Sequence, residues 1–345
     1  MFGPVLRRLF RAPARTAPRT VRLGLDVFED RVVPASVTFV NGTLLIEADQ
    51  ATADTVRITP TGTASDGSTG VKVKSSFTGP KAVTFGGAGN PVTTIALDLK
   101  DGDDTVNVAS LKSVVVLVGE GNGNNEIKIG DARAAGVIAG SGRNEITIGN
   151  GTDNLFGSTS MPGTAGSVAF LGWGYAFANA GTAIFLNGAP GNANDNIIRM
   201  KSDAGSRSFV EVIGTGDNVV RTGAGDDGVS IVGGGNNRVK MGAGNDYLAI
   251  TGSGDNRVGM GTGANTVVIN GGGDNHVRSC GTGSVTITGG GVNRVRVGAD
   301  PNNEVRLDGA AVGSKIVASA SAFVAVNGVQ VFGPGTFDGV KVRVI

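Results

Sequence analysis

The chain contains 345 residues, of which 59 are Gly, and its 30 basic and 29 acidic side chains leave a net charge of +1. A single Cys (Cys280) excludes an internal disulfide, and one Cys with one His (His276) excludes an ordinary structural zinc site. The small net charge gives no overall attraction to nucleic acid or membranes. Since average Gly usage is about 7%, the composition favours one elongated repeat protein.

The N-terminal segment, residues 1–35, is rich in Arg and has no acidic side chain before Asp26. Arginines and prolines interrupt its apolar residues, so it lacks the apolar run of a standard secretory signal. Residues 25–35 read LDVFEDRVVPA, and this stretch resembles the LEDR-x-x-PA segment near the start of exported or cell-envelope proteins of planctomycete-type bacteria. Phe28 replaces the usual Leu. We expect a basic, disordered leader, and the resemblance implies an extracellular or cell-envelope location.

Residues 36–100 predict a β-rich N-terminal cap. Val37–Val40 and Thr43–Glu47 flank the dipeptide Asn41-Gly42, which is a strong signal for a two-residue hairpin turn. A solenoid needs such a cap because its end strand would otherwise expose unpaired backbone groups. Further strands are predicted at Thr55–Thr59, Gly70–Lys74 and Thr93–Leu99.

Residues 101–308 contain a Gly- and Asn-rich repeat with a period of 19 residues. In each half-coil a Gly-rich turn precedes a short alternating segment such as RVKM at 238–241, which sends Val239 and Met241 inward. Equivalent residues then stack on neighbouring coils. One stack is an amide ladder: Asn218, Asn237, Asn256, Asn275 and Asn293. The pattern predicts an all-β fold, a parallel β-roll or β-helix solenoid with about 19 residues per two-strand coil, capped at both ends.

The register breaks at an apolar insertion, residues 158–187, which holds the chain's one Trp, Trp173. Ala165–Leu186 is long enough to cross a membrane, but its glycines and small residues favour an inserted loop, so we expect no transmembrane span. The insertion is also a candidate contact surface for a partner, because it clusters aromatic residues. Residues 309–345 predict a C-terminal β cap with Asn327-Gly328 as a turn.

The repeats resemble the calcium-binding nonapeptide G-G-x-G-x-D-x-L-x of hemolysin-type (RTX-like) proteins, and residues 242–248, GAGNDYL, follow it best. In that family, turn carbonyls and Asp carboxylates of successive coils bind Ca²⁺, and such oxygen ligands suit this ion. The resemblance implies a few weak calcium sites at Asp227, Asp246, Asp226, Asp153 and Asp104. Only Asp227 and Asp246 form a neighbouring pair of carboxylates. The alternative, which we favour on sequence, is that Asn ladders stabilise the turns without a metal.

A second stack is basic and lies on one outer face of the predicted solenoid. Its members are Arg221, Arg238, Lys240, Arg257, His276, Arg278, Arg294 and Arg296. Like charges opposite each other on adjacent strands repel, so this face is a candidate site for an anionic partner such as an acidic polysaccharide. The alternative, favoured on sequence because exposed charge is ordinary, is a solvated face whose repulsion is offset by Asp217, Asp255 and Asp274.

Two functions follow from these features. The leading hypothesis is an exported or surface-associated, non-enzymatic repeat protein with a structural or adhesive role, with weak calcium binding as an option and polysaccharide or cell-envelope components as partners. The alternative is a β-helix protein that binds or cleaves acidic polysaccharide along the basic stack. Because the stack repeats regularly and His276 falls within it, we assign no catalytic residue. The near-zero net charge leads us to expect no nucleic-acid partner.

Overall fold

The computed structural model describes residues 35–48, 52–63, 69–78, 80–150, 182–187 and 195–344. The predicted leader up to residue 34, Asp153 and the insertion up to residue 181 lie outside these residues. The described ranges contain 29 β-strands and no helix, so none of them offers a helix that could cross a membrane. The all-β class that the repeat predicts is confirmed.

The strands are short, and turns rich in Gly connect most of them. In chain order they are β1 (Ser36–Val40), β2 (Thr43–Glu47), β3 (Thr55–Thr63), β4 (Thr69–Ser75), β5 (Val83–Gly86), β6 (Thr94–Asp98), β7 (Thr105–Val108), β8 (Leu111–Gly119), β9 (Glu126–Ile129), β10 (Ala132–Ala139), β11 (Glu145–Ile148), β12 (Thr182–Asn187), β13 (Ile197–Met200), β14 (Ser208–Ile213), β15 (Val219–Arg221), β16 (Gly228–Val232), β17 (Arg238–Lys240), β18 (Tyr247–Thr251), β19 (Arg257–Met260), β20 (Ala264–Asn270), β21 (His276–Ser279), β22 (Thr282–Thr288), β23 (Arg294–Arg296), β24 (Glu304–Asp308), β25 (Lys315–Ala318), β26 (Phe323–Val326), β27 (Val329–Gln330), β28 (Gly335–Phe337) and β29 (Val340–Val344).

From β6 to β26, successive strands alternate between two sheets. Among the described residues, the first sheet has the order β1-β2-β6-β8-β10-β12-β14-β16-β18-β20-β22-β24-β26-β27. The second has the order β28-β29-β25-β23-β21-β19-β17-β15-β13-β11-β9-β7-β3-β4-β5. The pairs are parallel except near the sheet ends. The chain therefore winds through about ten turns of a parallel β-solenoid, as the repeat predicts.

The sheet register places equivalent residues of the repeat side by side. Along the second sheet, one column of paired residues contains Val220, Val239, Val258, Val277 and Val295. All five are buried in a core that both sheets share. Arg238 and Lys240, on either side of Val239, are exposed as the alternation predicts. The 19-residue period is thus the length of one coil, and its apolar positions build the core.

Gly is required where the turns of successive coils touch. At Gly252 the φ angle is +144°, and a Cβ there would overlap the carbonyl oxygen of Gly233 on the preceding coil. The turn backbones therefore stack in direct contact. The N-terminal hairpin uses a different turn, since Asn41 and Gly42 both have positive φ, the type I′ geometry that this dipeptide favours.

Antiparallel strands close both ends of both sheets. The hairpins β1–β2 and β26–β27 end the first sheet, and β3–β4–β5 and β28–β29 end the second. Asn327 and Gly328, both with positive φ, form the turn between β26 and β27. Parallel stacking extends on both sides of residues 101–308, since β6 pairs with β8 and β25 pairs with β23.

The last residues of the predicted insertion belong to the first sheet. Thr182–Asn187 form β12, which pairs in parallel with β10 and β14. Ile184 and Leu186 join the main core, whereas Ala183 and Phe185 join a second buried apolar cluster with Val115, Leu117 and Ala134. These six residues therefore form an ordinary coil strand.

Candidate functional site

A continuous cationic surface covers the outward side of the C-terminal part of the second sheet, on β15, β17, β19, β21, β23, β25 and β29. We call it the basic face. Its Lys and Arg residues are Arg221, Arg238, Lys240, Arg257, Arg278, Arg294, Arg296, Lys315, Lys341 and Arg343, with His276 among them. The 19-residue period does not reach Lys315, Lys341 or Arg343, because the coil length changes after Arg296. The alternation in the tail, VKVRV, was the one available signal for the last two.

The cations form two rows along the solenoid axis. In the first row, neighbouring strands pair Arg238, Arg257, His276, Arg294, Lys315 and Lys341 in that order. In the second row the order is Arg221, Lys240, Gly259, Arg278, Arg296, Val317 and Arg343. Neighbours in a row are separated by one strand spacing, about 4.8 Å, and the rows by two residues, about 6.6 Å. Only Gly259 and Val317 interrupt the second row between Arg221 and Arg343.

No Lys or Arg of the basic face forms an ion pair within the described part of the chain. Ion pairs elsewhere join Lys100 to Asp98, Lys128 to Glu126, Arg199 to Glu145 and Arg306 to Glu304. Opposed like charges on adjacent strands destabilise a sheet. The free chain therefore carries an electrostatic repulsion on this face that a bound anion would relieve.

The opposite side of the same coils carries fewer cations. On the outward side of the first sheet, one row contains Ser230, Ala249, Val268, Thr286 and Arg306, and Arg306 pairs with Glu304. Farther toward the N-terminus, the outward positions of β9 and β11 in the second sheet include Glu126 and Glu145. The near-zero net charge of the whole chain thus conceals one strongly basic surface.

The acidic side chains beside the basic face bond to backbone groups. Asp217 Oδ1 accepts the N–H of Asn236 at 2.6 Å, and Asp255 Oδ1 accepts the N–H of Asp274 at 2.7 Å. Asn236 Oδ1 in turn accepts the N–H of Asp255 at 2.8 Å. We call these residues, with Asp195, the outer column. From the sequence only Asp217, Asp255 and Asp274 are expected near the basic face, as screening charges, whereas the structure shows that the outer column connects the exposed turns of successive coils.

A second column lies in the interior, immediately before the strands of the second sheet. Each Asn side chain donates from Nδ2 to Oδ1 of the next Asn, over 2.8–3.1 Å. The members are Asn125, Asn144, Asn196, Asn218, Asn237, Asn256, Asn275 and Asn293, and all are buried. This asparagine ladder satisfies polar groups at a buried corner, and neighbouring amides in such a chain polarise one another favourably.

The candidate calcium ligands Asp226, Asp227 and Asp246 form hydrogen bonds between neighbouring coils. Asp227 accepts the Ser208 N–H and the Ser202 hydroxyl, at 2.9 Å each, while Asp246 Oδ1 accepts the Asp227 N–H at 3.0 Å. Asp226 Oδ1 accepts the Asn245 N–H at 2.7 Å. Burial raises the pKa of Asp227, and it raises the pKa of Asp246 to about 6.

No cluster of three or more His, Cys, Asp or Glu side chains in the described ranges has the arrangement of a metal site. Most oxygens of the candidate ligands are bonded to protein donors, and the Asp246 oxygen that lacks one, Oδ2, is buried. In this arrangement most of these carboxylate oxygens bond to donors of neighbouring coils.

Asp104 lies elsewhere, in a buried acidic cluster at the N-terminal end of the asparagine ladder. Its Oδ1 accepts the Asp54 N–H at 2.7 Å, and its backbone N–H donates to Asn125 Oδ1 at 3.0 Å. Glu120, which follows β8 in the other sheet, faces Asp104. Among the described residues no donor reaches either Glu120 oxygen, nor Oδ2 of Asp54 or Asp104. Sequence analysis missed this cluster because its three members come from separate parts of the chain.

The buried cluster favours a protonated Glu120 carboxyl group beside Asp104. Burial, together with the neighbouring carboxyl of Asp104, raises the pKa of Glu120 to about 10. Burial also raises the pKa of Asp104. A protonated Glu120 can donate to Asp104, whereas two carboxylates could only repel each other.

Comparisons with known proteins assign no family to the chain. No protein-family model matches it, and searches of curated proteins and of solved structures find no match.

Proposed function

We propose that this protein is a non-enzymatic scaffold, exported or attached to the cell envelope, that adheres to an acidic polysaccharide through its basic face. The observation that supports this most is the set of ten Lys and Arg side chains in two rows without acidic partners in the described chain. The LEDR-like segment at residues 25–35 supports the location by resemblance.

The chemistry of the face does not favour a single-stranded nucleic acid. The rows contain no Phe, Tyr or Trp, and proteins that bind single-stranded nucleic acids commonly stack bases on such side chains. A polymer with one carboxylate per repeating unit can place anions along evenly spaced cations. Seven strands at a spacing of about 4.8 Å give the face a length of roughly 29 Å.

The test is binding of the full chain to polygalacturonate, with neutral dextran and duplex DNA as comparison polymers. We expect binding to polygalacturonate that weakens steeply with salt. Replacing Arg257 and Arg278 with Ser should reduce the affinity about tenfold, the effect of roughly 1.4 kcal/mol. The matched control replaces Lys72 and Lys74, exposed on β4 of the same sheet, with Ser and should change the affinity less than twofold.

Two results would overturn the proposal. One is no binding of polygalacturonate to the intact chain, or tighter binding of duplex DNA. The other is an equal loss in both double variants, because that would show attraction to positive charge anywhere on the surface.

A further inference from the structure

The basic face contains a depression where one side chain of the second row is missing. Gly259 stands between Lys240 and Arg278, and a Cβ built on it would meet no atom within 4 Å. The depression has a volume of about 600 Å³. This value falls within the range of about 300–1,000 Å³ typical of small-molecule sites.

A second interruption of the same row shows that the missing side chain makes the room. Val317 lies between Arg296 and Arg343, where it lines a depression of only about 150 Å³. At Gly259, Lys240 and Arg278 stand two strand spacings apart, about 9.6 Å at the backbone. Arg257, the first-row residue of the same strand, also lines the depression. Three cations, Lys240, Arg257 and Arg278, therefore surround the space above Gly259.

We propose that this depression is a subsite for a single uronate ring of the bound polymer. The ring would occupy the space above Gly259, and its carboxylate would lie among Lys240, Arg257 and Arg278. The inference rests on the proposed function. It adds one defined binding position to a face on which the other cations are evenly spaced. Charge-assisted hydrogen bonds from such cations are stronger than neutral ones.

The decisive variant is Gly259→Arg, which adds a positive charge but fills the depression. Binding by charge alone predicts tighter binding, whereas the subsite predicts at least a tenfold loss of affinity for polygalacturonate and for its trimer. The control, Val219→Arg, adds the same charge to an outward position of β15 beyond the depression and should keep or raise the affinity. The φ of Gly259 lies outside the positive range, so Arg fits its backbone, and thermal melts check folding.

Cys280 provides an independent readout in the unaltered chain, because it is exposed and lines the depression. Saturation with the galacturonate trimer should slow its alkylation by N-ethylmaleimide several-fold. An unchanged rate at saturation, or a Gly259→Arg variant that binds as tightly as the original chain, would overturn the subsite and leave the proposed function intact. Failure of the original chain to bind polygalacturonate would instead reject the proposed function.

Discussion

Glu120 shows how one residue can make the stability of a solenoid depend on pH. Its carboxyl is buried against Asp104, and its folded pKa of about 10 lies far above the ordinary value of 4.5. Between these two values the folded chain binds a proton that the unfolded chain does not. The contribution of Glu120 to the free energy of unfolding therefore falls as the pH rises from 4.5 to about 10, by up to about 1.4 kcal/mol per pH unit.

Replacing Glu120 with Gln should remove this dependence. An amide can donate to Asp104 without taking up a proton, so we expect the variant to be more stable at pH 8 by roughly 1–3 kcal/mol. Its stability should also vary less between pH 6 and pH 9, as measured by urea unfolding. The control Glu126→Gln changes an exposed side chain of β9 and should change stability by no more than about 0.5 kcal/mol. Equal pH profiles for Glu120→Gln and the original chain would contradict the prediction.

At the scale of the strand and turn, two polar columns stabilise each coil boundary in different ways. The asparagine ladder is buried, and Asn256 both accepts from Asn237 and donates to Asn275. The outer column is exposed, and each member accepts one backbone N–H from the next coil. A buried donor or acceptor without a partner costs more free energy than an exposed one, since water can replace the partner at the surface.

The two columns should therefore respond unequally to the same truncation. Asn256→Ala removes the acceptor of one Asn237 Nδ2 hydrogen and the donor to Asn275 Oδ1 at a buried position, and we expect a loss of roughly 1–3 kcal/mol in the free energy of unfolding. Asn236→Ala removes one exposed acceptor and should cost less than about 1 kcal/mol. Urea unfolding of both variants at one pH provides the comparison. Losses of equal size would mean that the ladder is not a principal polar stabiliser.

The sequence predicts the regular part of these elements well and the irregular part poorly. A 19-residue period places Val239 beside Val258 and Asn237 beside Asn256, because identical coils require identical register. The period cannot place Lys315 and Lys341 on the basic face, since 21 residues separate Lys315 from Arg294 and 26 separate it from Lys341. The acidic cluster was equally hidden, because Asp54, Asp104 and Glu120 meet only after both sheets have formed.

On the scale of the whole molecule, stability depends on contacts between neighbouring coils. One apolar core runs through the stack, and both columns and the Gly turns join each coil to the next. Hemolysin-type repeats differ, since bound Ca²⁺ bridges their successive coils. Here the described candidates Asp227, Asp246 and Asp226 accept backbone N–H groups of neighbouring coils.

We therefore expect residues 36–345 to fold and melt at the same temperature in millimolar Ca²⁺ and in excess chelator. A ligand that binds only the folded state raises stability by about 2.7 kcal/mol at one hundred times its dissociation constant, which a thermal melt followed by circular dichroism would detect. Magnesium at the same concentration controls for ionic strength. A melting temperature raised by Ca²⁺ alone, and lost in Asp227→Asn with Asp246→Asn, would show that these carboxylates bind the ion.

The hairpins at the ends of the sheets have a consequence for size. Without them each sheet would end on a parallel coil strand that another copy could extend coil by coil, whereas the end hairpins do not continue the coil. The number of coils that carry the cations determines the length of the basic face, in steps of about 4.8 Å. On the proposed function, gain or loss of one 19-residue coil between β15 and β23 would lengthen or shorten the bound polymer segment by one such step.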